Sequence, residues 1–535
     1  KSFKLAIKNR PSYDEAHNNL GSVFVTLNLL DEALKSFSMA IKISPDFDDA
    51  YNNIGNIFLA LNQTEDAIKS YKKTIDLNPD FAAPHNNLGN AFKAIGKLDE
   101  AVLSYKKAIE LSPTFAEAFN NLGSLLSKEM NELDKGVIYF KKAIQINPDF
   151  EVAHNNLGNA LFKLNHFEDA LTSYSNALNL DCDSNYIYGN ILNTKMSYCN
   201  WNDFHNQIKE LNLRINNKEK TIEPFVLMGL IDKPDLQRQV TEIRINNEHP
   251  RRYLLPDINP YPKHKKIRIG YFSADFREHP VGYLTAGLYE LHDRDHFEIH
   301  AFSFGIASND ELNLRIKAGV DHFHNVDLMS HKEVALLARS LEIDIAVDLG
   351  GFTENARTNI FALTAAPIQL SYIGYLGTMG ADYYDYLIAD PIMIPQENQK
   401  HYVEKIVYLP SFQVNDSKDL PPDTILSRKD AGLPEKGFVF CCFNNTYKFT
   451  PTIFDSWARI LKAVKDSVLL IYVDNSSAEA NLSQEIIKRG IKPNRLIFGE
   501  RLKRKEYLAR YRVADLFLDT HPYNAGTTAS DALKM

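Results

Sequence analysis

The sequence has no basic excess: 60 Lys and Arg stand against 68 Asp and Glu, a formal charge of −8. That argues against a dedicated nucleic-acid binder, whose phosphate contacts normally leave a positive surplus. Cysteine is scarce. The four, Cys182, Cys199, Cys441 and Cys442, form no C-x-x-C pair and no Cys/His set at zinc-ligand spacing. No metal site is expected, and a reducing, cytoplasmic compartment fits. Long apolar runs are also missing; the candidates are as short as Ser467 to Val473, against the roughly 18 to 20 residues a spanning helix needs. No membrane partner is expected. The 535 residues are 44% hydrophobic, with 26 Tyr, 31 Phe and a mean hydropathy of −0.30. This is too rich in core-forming side chains for a disordered chain, and long enough for roughly three or four domains.

A repeat fills the first third. The tetrad Asn-Asn-(Leu/Ile)-Gly occurs at 18–21, 52–55, 86–89, 120–123 and 155–158, so its glycines are 34, 34, 34 and 35 residues apart. Pro11, Pro45, Pro79, Pro113 and Pro148 keep the same beat. Between them run helical patterns such as Asp31 to Phe37 and Glu65 to Tyr71, with apolar residues three and four apart. The pattern resembles the tetratricopeptide repeat, a helix pair that buries its apolar face only by stacking on its neighbours. Glycine is expected to let the two helices approach, Ala and aromatic residues to fill the seam, and Pro to start the next helix. The extra residue of the last interval is expected in a loop near Lys128-Glu129-Met130-Asn131. The paired asparagines admit two readings. They tolerate a crowded polar face, or they form a ladder of amides, each a donor and an acceptor, that binds an extended peptide backbone of any sequence.

The register is lost after Leu180. Residues 181–255 read as an aperiodic helical connection, including Cys199-Asn200-Trp201, and Pro256 to Lys266 as a linker. From Ile267 short β-rich runs alternate with helical ones, which predicts parallel α/β units. Strands are expected at 267–273, 298–304, 343–348 and 368–373, then at 438–443, 468–473, 495–498 and 516–519. In such sheets ligands sit beyond the carboxyl ends of strands, and two units facing each other place a ligand in the cleft between them.

Three sets of strand-end loops carry candidate chemistry: Ser273 to Pro280; Asp348 to Thr353 with Gly374 to Gly380; and Phe443 to Lys448 with Asp519 to Thr528. In the last, a flexible Gly and two hydroxyls open a helix, an arrangement that suits a phosphate, with Lys448 supplying positive charge. The alternative is that Thr527 or Thr528 is an N-cap and Lys448 a solvated lysine.

Taken together, Ser273-Ala274-Asp275-Phe276 with His279-Pro280, Ala365-Ala366-Pro367-Ile368-Gln369 with the glycine loop, Phe443-Asn444-Asn445 with Tyr447-Lys448, and Asn524 to Asp531 resemble the O-GlcNAc transferase and SPINDLY family of protein glycosyltransferases. The resemblance extends over the whole chain. It implies an α-solenoid of repeats (1–180), a helical connecting segment (181–255) and a two-lobed GT-B α/β half (256–425 and 426–535). The chain stops in the first turns of a helix expected to back the phosphate site, so the second lobe is expected to be incomplete and donor binding weak.

The resemblance implies inverting, metal-independent transfer of a sugar from a nucleotide sugar to Ser or Thr of a protein presented by the repeats, with no other cofactor. Lys448, Thr527 and Thr528 match diphosphate-holding positions, Asp531 a ribose-contacting carboxylate, and Asn445 and Tyr447 the flanks of that site. Thr353 and Gly377 match sugar-contacting elements, and His279 the histidine discussed as a base. Asn19, Asn53, Asn87, Asn121 and Asn156 match the ladder that holds the acceptor. Tyr507, Asn445, Leu376 and Phe352 depart from the O-GlcNAc transferase pattern, whereas Asp531 follows it. UDP-GlcNAc is the expected donor. GDP-fucose, as in SPINDLY-type members, and a catalytically inactive scaffold are the alternatives.

Overall fold

The computed structural model describes residues 2–180, 186–419 and 421–535. They fall into two compact units, Lys1–Cys182 and Asp183–Met535. Cys182 and the expected boundary after Leu180 lie at or next to residues outside those described.

In the first unit, helix Ser2–Asn9 precedes five helix pairs, from Asp14–Thr26 with Leu30–Ile43 to Glu151–Lys163 with Phe167–Leu180. The repeated glycine works as its position suggests. A Cβ at Gly21, Gly55, Gly89, Gly123 or Gly158 would lie 2.5 to 2.9 Å from a ring carbon of Phe37, Tyr71, Tyr105, Phe140 or Tyr174, so each aromatic of the second helix packs directly on the bare backbone of the first. The turn inside each pair needs a left-handed residue, supplied by Asn28, Asn62, Gly96, Asn131 and Asn165, the residue types that tolerate it. The extra residue falls in the loop between Lys128 and Leu133.

The prolines do not open helices. Pro45 precedes helix Asp48–Ala60 by three residues and occupies the second position of a β-turn closed by Phe47 N–H on Ser44 O, 3.1 Å. The same bond closes the other four turns. Fixed φ and a missing donor suit that turn position as well as they suit a helix start.

The second unit holds two sheets. The first comprises β1 (Ile267–Ser273), β2 (Phe297–Ser303), β3 (His322–Asn325), β4 (Ile345–Asp348), β5 (Ile368–Ser371), β6 (Tyr386–Ala389) and β7 (Lys405–Tyr408), in the order β3-β2-β1-β4-β5-β6-β7. The second comprises β8 (Val439–Cys442), β9 (Val468–Tyr472), β10 (Leu496–Gly499) and β11 (Leu516–Phe517), in the order β10-β9-β8-β11. Every pairing is parallel. Both sheets are doubly wound, with order reversing beside β1 and beside β8, where a crevice opens at the carboxyl ends. In the first lobe Phe272 stacks on Phe302 at 4.4 Å with Phe361 edge-on; in the second, Phe449, Phe454 and Trp457 are fully buried.

The helical segment before β1 does more than connect. Thr446 Oγ1 donates to Ser197 O and Asn481 Nδ2 to Tyr198 O, both in contact with the second lobe. Tyr383 Oη donates to His249 O and Arg244 lies over Phe352 in the first. The segment therefore contacts both lobes.

Candidate functional site

Between the lobes lies a cleft of about 500 Å³, a volume typical of small-ligand sites. Its walls are the loops after β1, β4, β5 and β7 on one side and after β8 and β11 on the other, with Phe225 from the helical segment. Both reversal points thus open onto one space.

Three carboxylates, the buried Asp348 and Glu404 and the exposed Asp519, shape these loops. Asp348, ending β4, accepts the N–H groups of Gly350 and Gly351 and the Tyr384 hydroxyl at 2.9, 3.1 and 2.6 Å. Glu404 accepts from Thr378 Oγ1 and Met379 N at 2.7 and 2.5 Å. Asp519 accepts from the N–H groups of Thr520 and Ala525, both at 2.7 Å. Burial raises the pKa of Asp348 and Glu404, and the hydrogen bonds they accept from their loops oppose that rise.

Lys448 is 9% exposed. Its Nζ donates to Asn524 O at 3.0 Å and lies 3.7 Å from the Tyr523 ring centroid. Among the described residues it forms no ion pair with a carboxylate. Burial, against the attraction of Asp519, lowers its pKa from 10.5 to about 8. Next to it begins helix Thr527–Lys534, which has no side-chain cap; its first N–H groups have no intrahelical acceptor. Thr527 lines the cleft as Lys448 does. Thr528 lines it too, with its hydroxyl donating to Asn444 Oδ1 at 2.5 Å. The N-cap alternative does not describe either threonine, since the N-cap position is Gly526; nor is Lys448 a solvated surface lysine. A buried ammonium and a helix N-terminus that opens with two threonines together suit an anion of more than one charge. Asn445 and Tyr447 border the same space, Asn445 exposed and Tyr447 half-buried.

Across the cleft, His279 is the N-cap of helix Pro280–Leu291. Its Nδ1 accepts from Val281 N at 3.3 Å and lies 3.5 Å from Asp275 Oδ2. Burial lowers its pKa, opposed by Asp275, so the ring is neutral at pH 7. Thr353 lines the cleft with its hydroxyl turned to Gly350 O at 2.8 Å.

Two expected residues lie elsewhere. Gly377 is off the cleft wall, packed so closely under the Tyr375 hydroxyl that a Cβ would sit 2.6 Å from it; Gly374 and Leu376 of the same loop face the cleft instead. Asp531 faces an adjoining cavity of about 430 Å³ that shares Thr527. Both its oxygens are taken by Arg504, at 2.7 and 2.8 Å, so no free carboxylate is presented. Phe225, Arg277 and Gln413 also line the cleft. Gln413 Nε2 reaches across to Ser530 Oγ at 3.1 Å. Arg277 carried a signal, lying in the motif after β1; Phe225 and Gln413 had none.

In the first unit, the second asparagine of each tetrad reaches back one repeat. Asn53, Asn87, Asn121 and Asn156 donate Nδ2 to Oδ1 of Asn18, Asn52, Asn86 and Asn120 at 3.0, 3.1, 3.0 and 3.0 Å. Asn19, in the first tetrad, is exposed. The amides form a ladder that bridges successive repeats; Asn87 Nδ2 also donates to Asn56 Oδ1 at 3.1 Å, so both of its N–H groups are engaged.

Residues 239–424 and 413–535 match the model of glycosyl transferase family 41. Stretches from 23–61 to 152–184 match tetratricopeptide repeat models. A probable UDP-N-acetylglucosamine–peptide N-acetylglucosaminyltransferase, SEC of Arabidopsis thaliana, is 37% identical over 275 residues, 50% of this chain and 28% of that protein. A SPINDLY protein of Oryza sativa subsp. japonica, described as the same probable activity, is 30% identical over 293 residues, 52% of this chain and 30% of that one. The chain thus spans under a third of the length of these curated relatives. The structure of a mutant O-GlcNAc transferase from Thermobaculum terrenum superposes with a TM-score of 0.61 at 25% identity, covering 84% of this chain and 80% of that one.

Proposed function

The chain belongs to glycosyl transferase family 41, and from that premise we propose that it moves GlcNAc from UDP-GlcNAc to Ser or Thr hydroxyls of proteins held by the repeats. The observation that carries this reading is Lys448, a buried cation with no ion-pair partner among the described residues, beside a helix start without a side-chain cap. Burying a charge is costly unless something pairs with it, and the diphosphate of a nucleotide sugar is a fitting partner. The relatives named above as UDP-N-acetylglucosamine-dependent support the donor.

In this proposal the acceptor hydroxyl attacks the anomeric carbon from the face opposite the diphosphate, the bond to the diphosphate oxygen breaks, and the sugar inverts. Lys448, Thr527, Thr528 and the first N–H groups of their helix take up the charge developing on the leaving group, so no metal is needed. His279 takes the hydroxyl proton on Nε2. That requires the tautomer whose Nδ1–H turns from Val281 to Asp275, which lies within reach at 3.5 Å. Asn445 and Tyr447 flank the diphosphate, and Thr353 and the Gly374 loop bound the sugar. Asp531 acts through Arg504, fixing the guanidinium at the adjoining cavity, where the nucleoside would lie. Asn53, Asn87, Asn121 and Asn156, with Asn19, offer their remaining amide groups to the acceptor backbone. A cytoplasmic setting suits the buried, unpaired thiols of Cys199, Cys441 and Cys442.

The test is self-labelling and donor hydrolysis by the full-length protein, with UDP-GlcNAc, UDP-glucose and GDP-fucose offered separately and Lys448→Ala as control. Label from UDP-GlcNAc that falls at least about a hundredfold in the variant is expected. Label from GDP-fucose alone moves the chain to fucose transfer, and no label from any donor leaves the scaffold reading.

A further inference from the structure

At the edge of the seven-stranded sheet, Glu298 and His300 lie on β2 and His322 and His324 on β3. Side chains two apart on a strand share a face, and the parallel register sets His300 beside His322 and Phe302 beside His324. The pairs Glu-x-His and His-x-His therefore meet side by side. His300 Nε2 and His322 Nε2 each lie 3.1 Å from the same Glu298 Oε1, and one donor atom from each of the three residues falls within 4.8 Å of the others.

Ordinary hydrogen bonds explain both contacts when each Nε2 carries a proton. The same spacing fits a second arrangement. Zinc binds imidazole nitrogen and carboxylate oxygen at about 2.0 to 2.2 Å, which sets neighbouring donors of a tetrahedron about 3.3 to 3.6 Å apart. The two carboxylate–imidazole distances lie within a few tenths of an ångström of that spacing, and the two imidazole donors lie within 4.8 Å of each other. The surroundings are also those of a ligand set. His300 Nδ1 is 3.1 Å from His324 Nε2, a partner for the far ring nitrogen of the kind that fixes a metal-bound histidine. Glu298 Oε2 faces Arg268 Nε at 3.5 Å, which leaves Oε1 for the cation.

We propose that Glu298, His300 and His322 form a binding site for a divalent transition metal of the zinc class, which clamps the edge strand β3 to β2. His300 is 3% exposed and His322 50%, so one ligand is anchored in the sheet and another opens to solvent, giving the ion an entry path and a coordination position for water. Two nitrogen donors favour zinc, nickel or copper over magnesium or calcium. The site occupies the first half of β2, whereas the cleft lies beyond the carboxyl ends of the strands, so its role is structural and separate from sugar transfer.

The test is titration of the chelator-stripped chain with Zn²⁺ by calorimetry and with Co²⁺ by its visible absorption, alongside melting curves with and without metal. One equivalent is expected to bind in the micromolar range or tighter, Co²⁺ to give the intense bands of a tetrahedral site, and the melting temperature to rise. His322→Gln, on an exposed strand edge, and Glu298→Gln should each weaken binding at least about tenfold. His324→Gln should weaken it less. Mg²⁺ should not compete. No saturable binding, or binding unchanged in both ligand variants, would mean that the three side chains form a hydrogen-bonded cluster only.

Discussion

Lys448 is held in its charged form at a cost to the fold. Its pKa is about 8 in the folded chain against an ordinary value of 10.5, burial being the cause. Between those two pH values the unfolded chain binds more protons than the folded one, so stability rises with pH across that window, and the penalty is fully present below pH 8. The difference corresponds to about 3 kcal/mol at neutral pH, offset by roughly 1 kcal/mol for the hydrogen bond to Asn524. Lys448→Met is therefore expected to melt at a higher temperature than the parent at pH 7, and to lose that advantage as pH approaches 10.5. A variant that melts lower at pH 7 would show that the ammonium is already well paired in the empty cleft. The site keeps a residue that the fold alone would not favour, which is what a charge reserved for a ligand predicts.

At the scale of elements, the repeats show a coupling between two positions. Where the seam aromatic is tyrosine, the residue after the repeat glycine is asparagine, and the two bond: Tyr71 to Asn56, Tyr105 to Asn90 and Tyr174 to Asn159, at 2.8, 2.7 and 2.9 Å. Where the aromatic is Phe37 or Phe140, the corresponding residue is Ser22 or Ser124. A buried hydroxyl needs an acceptor, and phenylalanine removes the need. Tyr71→Phe and Asn56→Ser should each cost about 1 kcal/mol, and the double variant little more than either, a coupling of about 1 kcal/mol in denaturant unfolding of the repeats. Additive losses would mean that the pair does not act as a unit. This regularity was visible in the sequence, as were the helix pairs and most strands, because each is a local period.

The features the sequence does not display are non-local or weakly patterned. The strands β3, β6 and β7 are four residues each, and their residues, among them His322, His324, Tyr386 and Lys405, give no apolar alternation. The turn prolines were misplaced by three residues because Pro is equally at home in a turn and a helix start. Gly377 matched its motif yet faces Tyr375, since a loop's sequence does not say which glycine meets the cleft and which meets the core. Asp531 is matched to Arg504, a pairing between helices that no spacing announces.

For the whole molecule, the two units make separable demands, and that gives a decisive experiment on the asparagine ladder. The ladder amides already bridge successive repeats, so removing them has a structural consequence whatever they bind. If they also hold an acceptor backbone, the triple variant Asn53→Ala, Asn87→Ala, Asn121→Ala loses up to three peptide hydrogen bonds at roughly 1 kcal/mol each, or about a hundredfold in peptide affinity. That loss should be the same for peptides of unrelated sequence, since backbone amides are common to all. Donor hydrolysis, which depends on the cleft of the second unit, should be unchanged. If the ladder serves only to lock the repeats together, the melting temperature of the repeats falls while peptide affinity and donor hydrolysis both hold. Measuring all three on one variant separates a backbone reader from a structural zipper, because only the reader couples the amides to a ligand without coupling them to the chemistry.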